Sequence, residues 1–262
     1  MMPYTRKILL SFDVEEFDLP LEYRQYISPE EQLSTGYQGL EQIEGLLQLP
    51  GVRATLFTTA FFAEQYPAAI TALGSRHEIA SHTYYHSSFV PEDLRRSKEK
   101  LEAITGQRVT GLRMPRMKTV EAGMVAAAGY RYNSSYNPTW LPGRYNNLRM
   151  PRRPFQEEGV LQFPVSVTPH LRIPLFWLCF KNMAYAAYLK LALQTMRYDG
   201  YISLYFHPWE FADLSGYRLP FYVKRKGGRK LLLKLQQLLT HLSEEGEFCT
   251  MHDFVQQAVQ GR

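Results

Sequence analysis

The stretch HEIASHTYYH, residues 77–86, places three histidines in ten positions, with His82 and His86 four apart. At helical spacing two such side chains lie one turn apart and point to one side. Neutral imidazole is a good ligand for zinc and other first-row metals. A third, anionic ligand would complete a catalytic site that still leaves room for water. Two polar residues on a surface turn would give the same pattern, and the pair alone does not decide. Four other segments also carry reactive groups. FDVEEFD (12–18) holds Asp13, Glu15, Glu16 and Asp18. LRMPRM (112–117) holds Arg113 and Arg116. YNSSY (132–136) holds Asn133 and Tyr136, and FHPWEF (206–211) holds His207, Trp209 and Glu210.

The elements around these groups repeat at short intervals. Ile8 to Phe12 reads as a buried strand that ends in the acids. Residues 34–49 have helical apolar spacing, and 51–63 begin as a strand rich in β-branched and aromatic residues. A short helix over 64–76 closes at Gly74, and 77–82 forms the next strand and its exit. Residues 91–106 form a helix with Pro91 near its start and Gly106 at its end. A strand over 109–115, a helix over 119–129 and a strand over 130–135 follow. The Pro-, Arg-, Asn- and Gly-rich region 138–172 reads as irregular, with a hairpin around Gly159. The last strong strand lies within 200–211, and 227–246 is an amphipathic helix. Alternating strands and helices imply a parallel α/β architecture. In such folds, reactive groups gather where the carboxyl ends of strands pass into loops. All five segments fall at such places.

The chain has 262 residues, 45% of them hydrophobic, enough for a substantial core. No internal repeat or linker divides it, so residues 1–262 are expected to form one domain. A net charge of +5 is mildly basic, with local clusters at 149–155 and 224–230. No nucleic-acid-binding module accompanies them, so a nucleic-acid partner is not expected. The two cysteines, Cys179 and Cys249, have no paired spacing and fit a reducing compartment. The start of the chain lacks the apolar run of a signal peptide. The apolar segment 173–193 is interrupted by Lys181, Asn182 and Lys190 and is too polar to span a membrane. A cytoplasmic location follows as the expectation, with segment 173–193 buried or lining the cleft, or resting on a membrane face beside the basic clusters.

The five segments, in this order, resemble the NodB-like polysaccharide deacetylases, a carbohydrate esterase group. The similarity runs from SFDVEEF to YFHPWEF, and ATLFTTAFFAEQYP followed by HEIASHTYYH is its closest part. FDVEEF and FHPWEF are most similar to an exopolysaccharide-associated and allantoinase-like branch. The resemblance implies a distorted (β/α) barrel with fewer than eight strands and a divalent metal: zinc first, with cobalt, nickel, manganese or iron as alternatives. It implies hydrolysis of an acetyl group on a sugar.

On that pattern His82 and His86 bind the metal. The family carries two adjacent aspartates where this chain has Asp13-Val14-Glu15. Strand alternation puts Asp13 and Glu15 on one side, with Asp13 as the general base and Glu15 as the third ligand; the reverse assignment stays open. Glu16 and Asp18 are read as ordinary solvated acids. Arg113 matches the family arginine that holds the base. His207 matches the general acid, suited to proton donation near neutral pH. Asn133 stands where relatives have an acid that orients this histidine; either another acid, such as Glu210, replaces it, or the histidine is less basic than in relatives. Arg116, Tyr84, Tyr136 and Trp209 are candidate substrate contacts. The expected activity is removal of an acetyl group from an N-acetylated sugar or glycan, free or linked to a lipid or nucleotide. The alternatives are an allantoinase-like amide hydrolase, or a carbohydrate-binding assembly protein with weak catalysis.

Overall fold

The computed structural model describes residues 5–260. Its strands are β1 (Arg6–Val14), β2 (Ala54–Thr58), β3 (Glu78–Ser81), β4 (Gly111–Leu112), β5 (Tyr132–Asn133), β6 (Trp140–Leu141), β7 (Tyr145–Asn146), β8 (Phe155–Glu157), β9 (Val160–Gln162), β10 (Tyr201–Phe206) and β11 (Gly246–Phe248). Seven strands run parallel in the order β10-β1-β2-β3-β4-β5-β9, and β8 turns back antiparallel on β9. β11 pairs with the start of β1, below the point where β2 begins. The expected hairpin at Gly159 is the β8–β9 turn, with Gly159 at φ +82°. A second hairpin, β6–β7, turns at Gly143.

The sheet curls into an incomplete barrel. Arg113 follows β4, yet its guanidinium reaches Ser11 on β1 at 3.0 Å. On a flat sheet β4 and β1 would lie about 14 Å apart, three strand spacings. Past β9, Ser166 N–H donates to the Ser203 carbonyl of β10 at 3.0 Å, partly bridging the open side.

Side-chain alternation along β1 sorts outside from inside. Ile8, Leu10, Phe12 and Val14 pack in the large cluster under the helices, whereas Leu9 joins Phe57, Tyr132, Phe163 and Tyr201 in a separate cluster. That second cluster plugs the barrel floor. Ser11 and Asp13 continue the inward row above it, so the apolar plug gives way to a polar layer. This is why a strand with almost no exposed residue still carries a buried acid.

The helix Pro29–Leu47 starts earlier than its apolar spacing indicates, because Ser28 caps it by accepting the Glu31 N–H at 3.2 Å. Its small residues matter for the site. A Cβ on Gly36 would sit 2.5 Å from the Glu15 carbonyl, and one on Gly39 would sit 2.1 Å from that of Pro208. The helix therefore holds both the acidic loop and the His207 loop at backbone contact distance.

Candidate metal and hydrolytic site

The loops after β1, β3, β4 and β10 converge on a cleft of about 410 Å³. Asp13, Glu15, His82, His86, His207 and Trp209 form its floor. His82 and His86 are not on a helix. His82 follows β3 directly, and Thr83, at φ +64°, turns the chain so that the two rings lie 5.7 Å apart.

Glu15 Oε2 lies 3.0 Å from His82 Nε2 and 3.2 Å from His86 Nε2. The opposite nitrogens are fixed from behind. His82 Nδ1 lies 2.8 Å from the Arg113 carbonyl, which can only accept, so Nδ1 carries the proton and Nε2 presents a lone pair. His86 Nδ1 lies 2.8 Å from Asp18 Oδ1. Glu15 Oε1 accepts from Trp209 Nε1 at 2.9 Å, leaving Oε2 free. Among the described residues, Glu15 Oε2 and His82 Nε2 have no hydrogen-bond partner although both are buried. Two facing acceptors in a dry place ask for a cation between them. Two imidazoles, a carboxylate and partners behind the rings match a catalytic zinc-type donor set, so these residues fit a divalent metal.

The buried acid and the histidines around it also stabilise one another's charged forms. Burial opposes ionisation of Glu15, but His86, His82 and His207 around it hold its carboxyl well below the usual range. Burial also opposes charge on His86, and Glu15 and Asp18 outweigh it, raising its pKa to about 9.

Glu16 and Asp18 are not solvated acids, contrary to expectation. Both are buried. Glu16 Oε2 accepts from Thr59 Oγ1 at 2.5 Å, and burial raises its pKa. Asp18 accepts from Arg116 Nη2 at 2.7 Å and backs His86. Burial would raise the Asp18 pKa, but His86 and Arg116 lower it. Arg116 also donates to Glu22 and to the His86 carbonyl, in a left-handed backbone at φ +56°. Its polar contacts thus tie the acidic and histidine loops together, and it lines the cleft as well.

Asp13 and His207 face the same space, with Asp13 Oδ2 3.8 Å from His207 Nε2. Arg113 is fully buried and donates to Asp13 Oδ1 at 2.6 Å, with further bonds to Ser11 and Ser134. It lies 4.0 Å over the Phe57 ring. His207 stacks on Trp209 at 4.8 Å, and both its backbone N–H and its Nδ1 approach Glu210 Oε1, at 2.8 and 3.2 Å. Burial pushes the His207 pKa down, and Glu210, Glu15 and Asp13 together raise it. Asn133 does not serve His207. Its Oδ1 accepts from Ser135, whose hydroxyl in turn accepts the Met114 N–H at 2.8 Å.

Two expected substrate contacts lie elsewhere. Tyr84 is buried and donates to Glu64, and Tyr136 packs on Phe155; neither lines the cleft. Their alternating polar and aromatic setting does not separate core from cleft wall. The walls come instead from residues that carried no motif: Tyr23, Leu141, Arg144, Trp177 and Tyr222.

Residues 34–132 match the family model described as polysaccharide deacetylase. The match contains His82, His86 and Arg113, while Asp13, Glu15 and His207 fall outside it. The structure is similar to that of a candidate polysaccharide deacetylase from Mycobacterium smegmatis, at a TM-score of 0.65 and 18% identity over 98% of this chain and 93% of that one. It is similar to a second candidate from Pseudomonas aeruginosa PAO1, at 0.63 and 15% over 95% and 90%. The third likeness is to Puue allantoinase, at 0.60 and 17% over 97% and 90%. At these identities the likeness is one of fold. No curated protein sequence gives a significant match. The matched segment and the shared barrel together bear out the resemblance of this chain to the NodB-like polysaccharide deacetylases.

Proposed function

We propose that the protein is a metal-dependent hydrolase that removes an acetyl group from an N-acetylated sugar. The observation that carries this reading is the convergence of Glu15 Oε2, His82 Nε2 and His86 Nε2 beside the Asp13–His207 pair. A divalent cation held there supplies Lewis acidity toward the acetyl carbonyl and a water of lowered pKa. Asp13 takes the proton from the attacking water through Oδ2, while Arg113 holds Oδ1 and fixes the carboxylate plane. His207 returns a proton from Nε2 to the leaving amine as the tetrahedral species collapses. Trp209 and Trp177 flank His207 and limit water at the reacting centre. Arg116 keeps the acidic and histidine loops in register.

The cleft mouth suggests the rest of the substrate. Leu21, Trp140, Phe221 and Tyr222 are exposed and lie on or next to the segments that wall the cleft. Arg24 and Arg225 lie on the same segments, as does Arg144, which is paired with Glu22 at 2.8 Å. An apolar and cationic rim suits a sugar carried on an anionic lipid, or an anionic membrane face. The cluster at 149–153 contributes less than its composition suggests, because Arg152 and Arg153 are both paired with Asp199. Segment 173–193 splits in function. Phe176, Trp177 and Leu178 line the cleft, and Tyr188 and Ala192 pack in the core. Among the described residues, no helix is long and apolar enough to cross a membrane.

The test is acetate release by zinc-loaded protein from N-acetylated oligosaccharides, nucleotide sugars and prenyl-phosphate sugars, with allantoin as the rival substrate. Release from a sugar supports the reading. Ring opening of allantoin without acetate release would replace it with an amide hydrolase. Bound metal with no turnover would favour a binding or assembly role.

A further inference from the structure

Two of the three polar residues that interrupt the apolar run 173–193, Lys181 and Asn182, have a structural use, and one of them bears on His207. Lys181 is fully buried, and its Nζ donates to the Val223 carbonyl at 2.7 Å. Its other near polar neighbour is Glu210 Oε2, 4.0 Å away. Glu210 is also fully buried. Its Oε1 receives the backbone N–H and Nδ1 of His207, whereas Oε2 has no hydrogen-bond partner among the described residues. A carboxylate in such a place needs a positive charge nearby. Lys181 is that charge. Asn182 adds a bond to the Tyr222 carbonyl at 3.0 Å, so the helix Trp177–Asn182 fastens both the Glu210 unit and the segment that walls the cleft.

We propose that Glu210 and Lys181 form a buried positioning pair that sets the tautomer and direction of His207. Glu210 accepts a hydrogen bond from Nδ1–H, so the neutral ring presents the Nε2 lone pair to the cleft beside Asp13, and Nε2 is where the ring takes up the proton that it later donates. Lys181 balances the Glu210 charge from behind and ties it to the cleft wall. Asn133, the last residue of β5, is committed to Ser135 and does not reach the ring. Because Glu210 lies three residues after His207, on the same short 3₁₀ turn (Pro208–Phe211), one carboxylate oxygen can hold both the backbone and the ring. The catalytic consequence rests on the hydrolase reading; the tautomer does not.

Two readouts test the pair. The first is ¹⁵N NMR of the His207 ring in zinc-loaded protein, assigned by difference with His207→Gln, at a pH where the ring is neutral. The proposal predicts the Nδ1–H tautomer in the parent and its loss or mixing in Glu210→Gln. An Nε2–H tautomer in the parent, or no change on substitution, overturns it whether or not a substrate is known. The second readout is kinetic. Glu210→Gln should keep its zinc and its KM, and lose kcat on an N-acetyl substrate by at least about tenfold, within the ~10²–10⁴-fold that a general acid is worth. The loss should be much smaller on an aryl acetate, whose leaving group needs no proton. Equal losses on both substrates, or a kcat within twofold of the parent, overturn the proposal. If Glu210→Gln does not fold, Lys181→Met with Glu210→Gln removes both buried charges. That double variant should fold and show the same selective kcat loss, and parent-level kcat in it overturns the proposal.

Discussion

Replacement of Arg113 by Met removes the cation that the polar layer is built around. Arg113 is fully buried, and its partner Asp13 is 3% exposed. The pair is joined at 2.6 Å, and the same guanidinium serves Ser11 and Ser134. Methionine fills much of the volume against Phe57 but leaves the Asp13 carboxylate unpaired in a dry layer. Breaking one side of a buried ion pair costs about 3–5 kcal/mol, a large share of the ~5–15 kcal/mol that holds a typical domain folded. Asp13→Asn alone leaves the opposite orphan, a buried guanidinium. Arg113→Met with Asp13→Asn removes both charges and should lose less than the sum of the single losses, with a coupling of about 2–3 kcal/mol. The assay is urea unfolding followed by circular dichroism on chelator-treated protein, so that metal binding adds no stability. Losses that add to within ~0.5 kcal/mol would refute the coupling, and with it the claim that Arg113 exists to hold Asp13.

Other expectations follow from the same geometry. His77 is buried and accepts the Ala54 N–H through Nδ1, and burial, with Arg76 and Arg53, lowers its pKa to about 4. Its folded pKa lies below the unfolded value, so its stabilisation is present above about pH 6.5 and is lost as pH falls toward 4. After allowance for screening this amounts to roughly 1–2 kcal/mol, and unfolding curves at pH 7.5 and 5 should show His77→Gln losing less than the parent. Asp13→Asn and His207→Ala should each keep zinc and lose turnover of an N-acetyl substrate by ~10²–10⁴-fold. Undiminished turnover in either would remove that residue from the mechanism. Co-sedimentation should be stronger with anionic than with neutral vesicles and should fall in Trp140→Ala with Phe221→Ala; equal weak binding to both vesicle types would end the lipid reading.

Much of the strand order was legible because the fold repeats it in sequence. The apolar start of β1, the Gly-terminated helices and the His82 segment each announce a boundary through local chemistry. Apolar spacing alone does not reveal the start of the helix Pro29–Leu47, because its first turn, SPEEQ, is polar; the Ser cap, the following Pro and the acids are the signal that marks it. The site splits in the same manner. Residues in ordered motifs were legible as candidates, and Asp13, Glu15, His82, His86, Arg113 and His207 do come together. The burial of Asp18 is not legible locally, because it depends on distant partners, His86 and Arg116, which no local pattern encodes. Tyr84 and Tyr136 failed for the complementary reason, since an aromatic next to a motif is as often packing as wall. Lys181 looked like a break in an apolar run and is a buried partner of Glu210. The cleft walls arise from hairpin and helix segments far apart in sequence, so only the fold shows them.

Zinc content in three proteins tests the central claim most directly: the parent, Glu15→Gln and Asp13→Asn, each saturated with zinc, desalted and measured by elemental analysis. The account predicts about one zinc per chain in the parent and in Asp13→Asn, and almost none in Glu15→Gln, because removing a ligand charge removes the site. A parent that retains no zinc, or a series in which Asp13→Asn loses the metal and Glu15→Gln keeps it, would contradict the account.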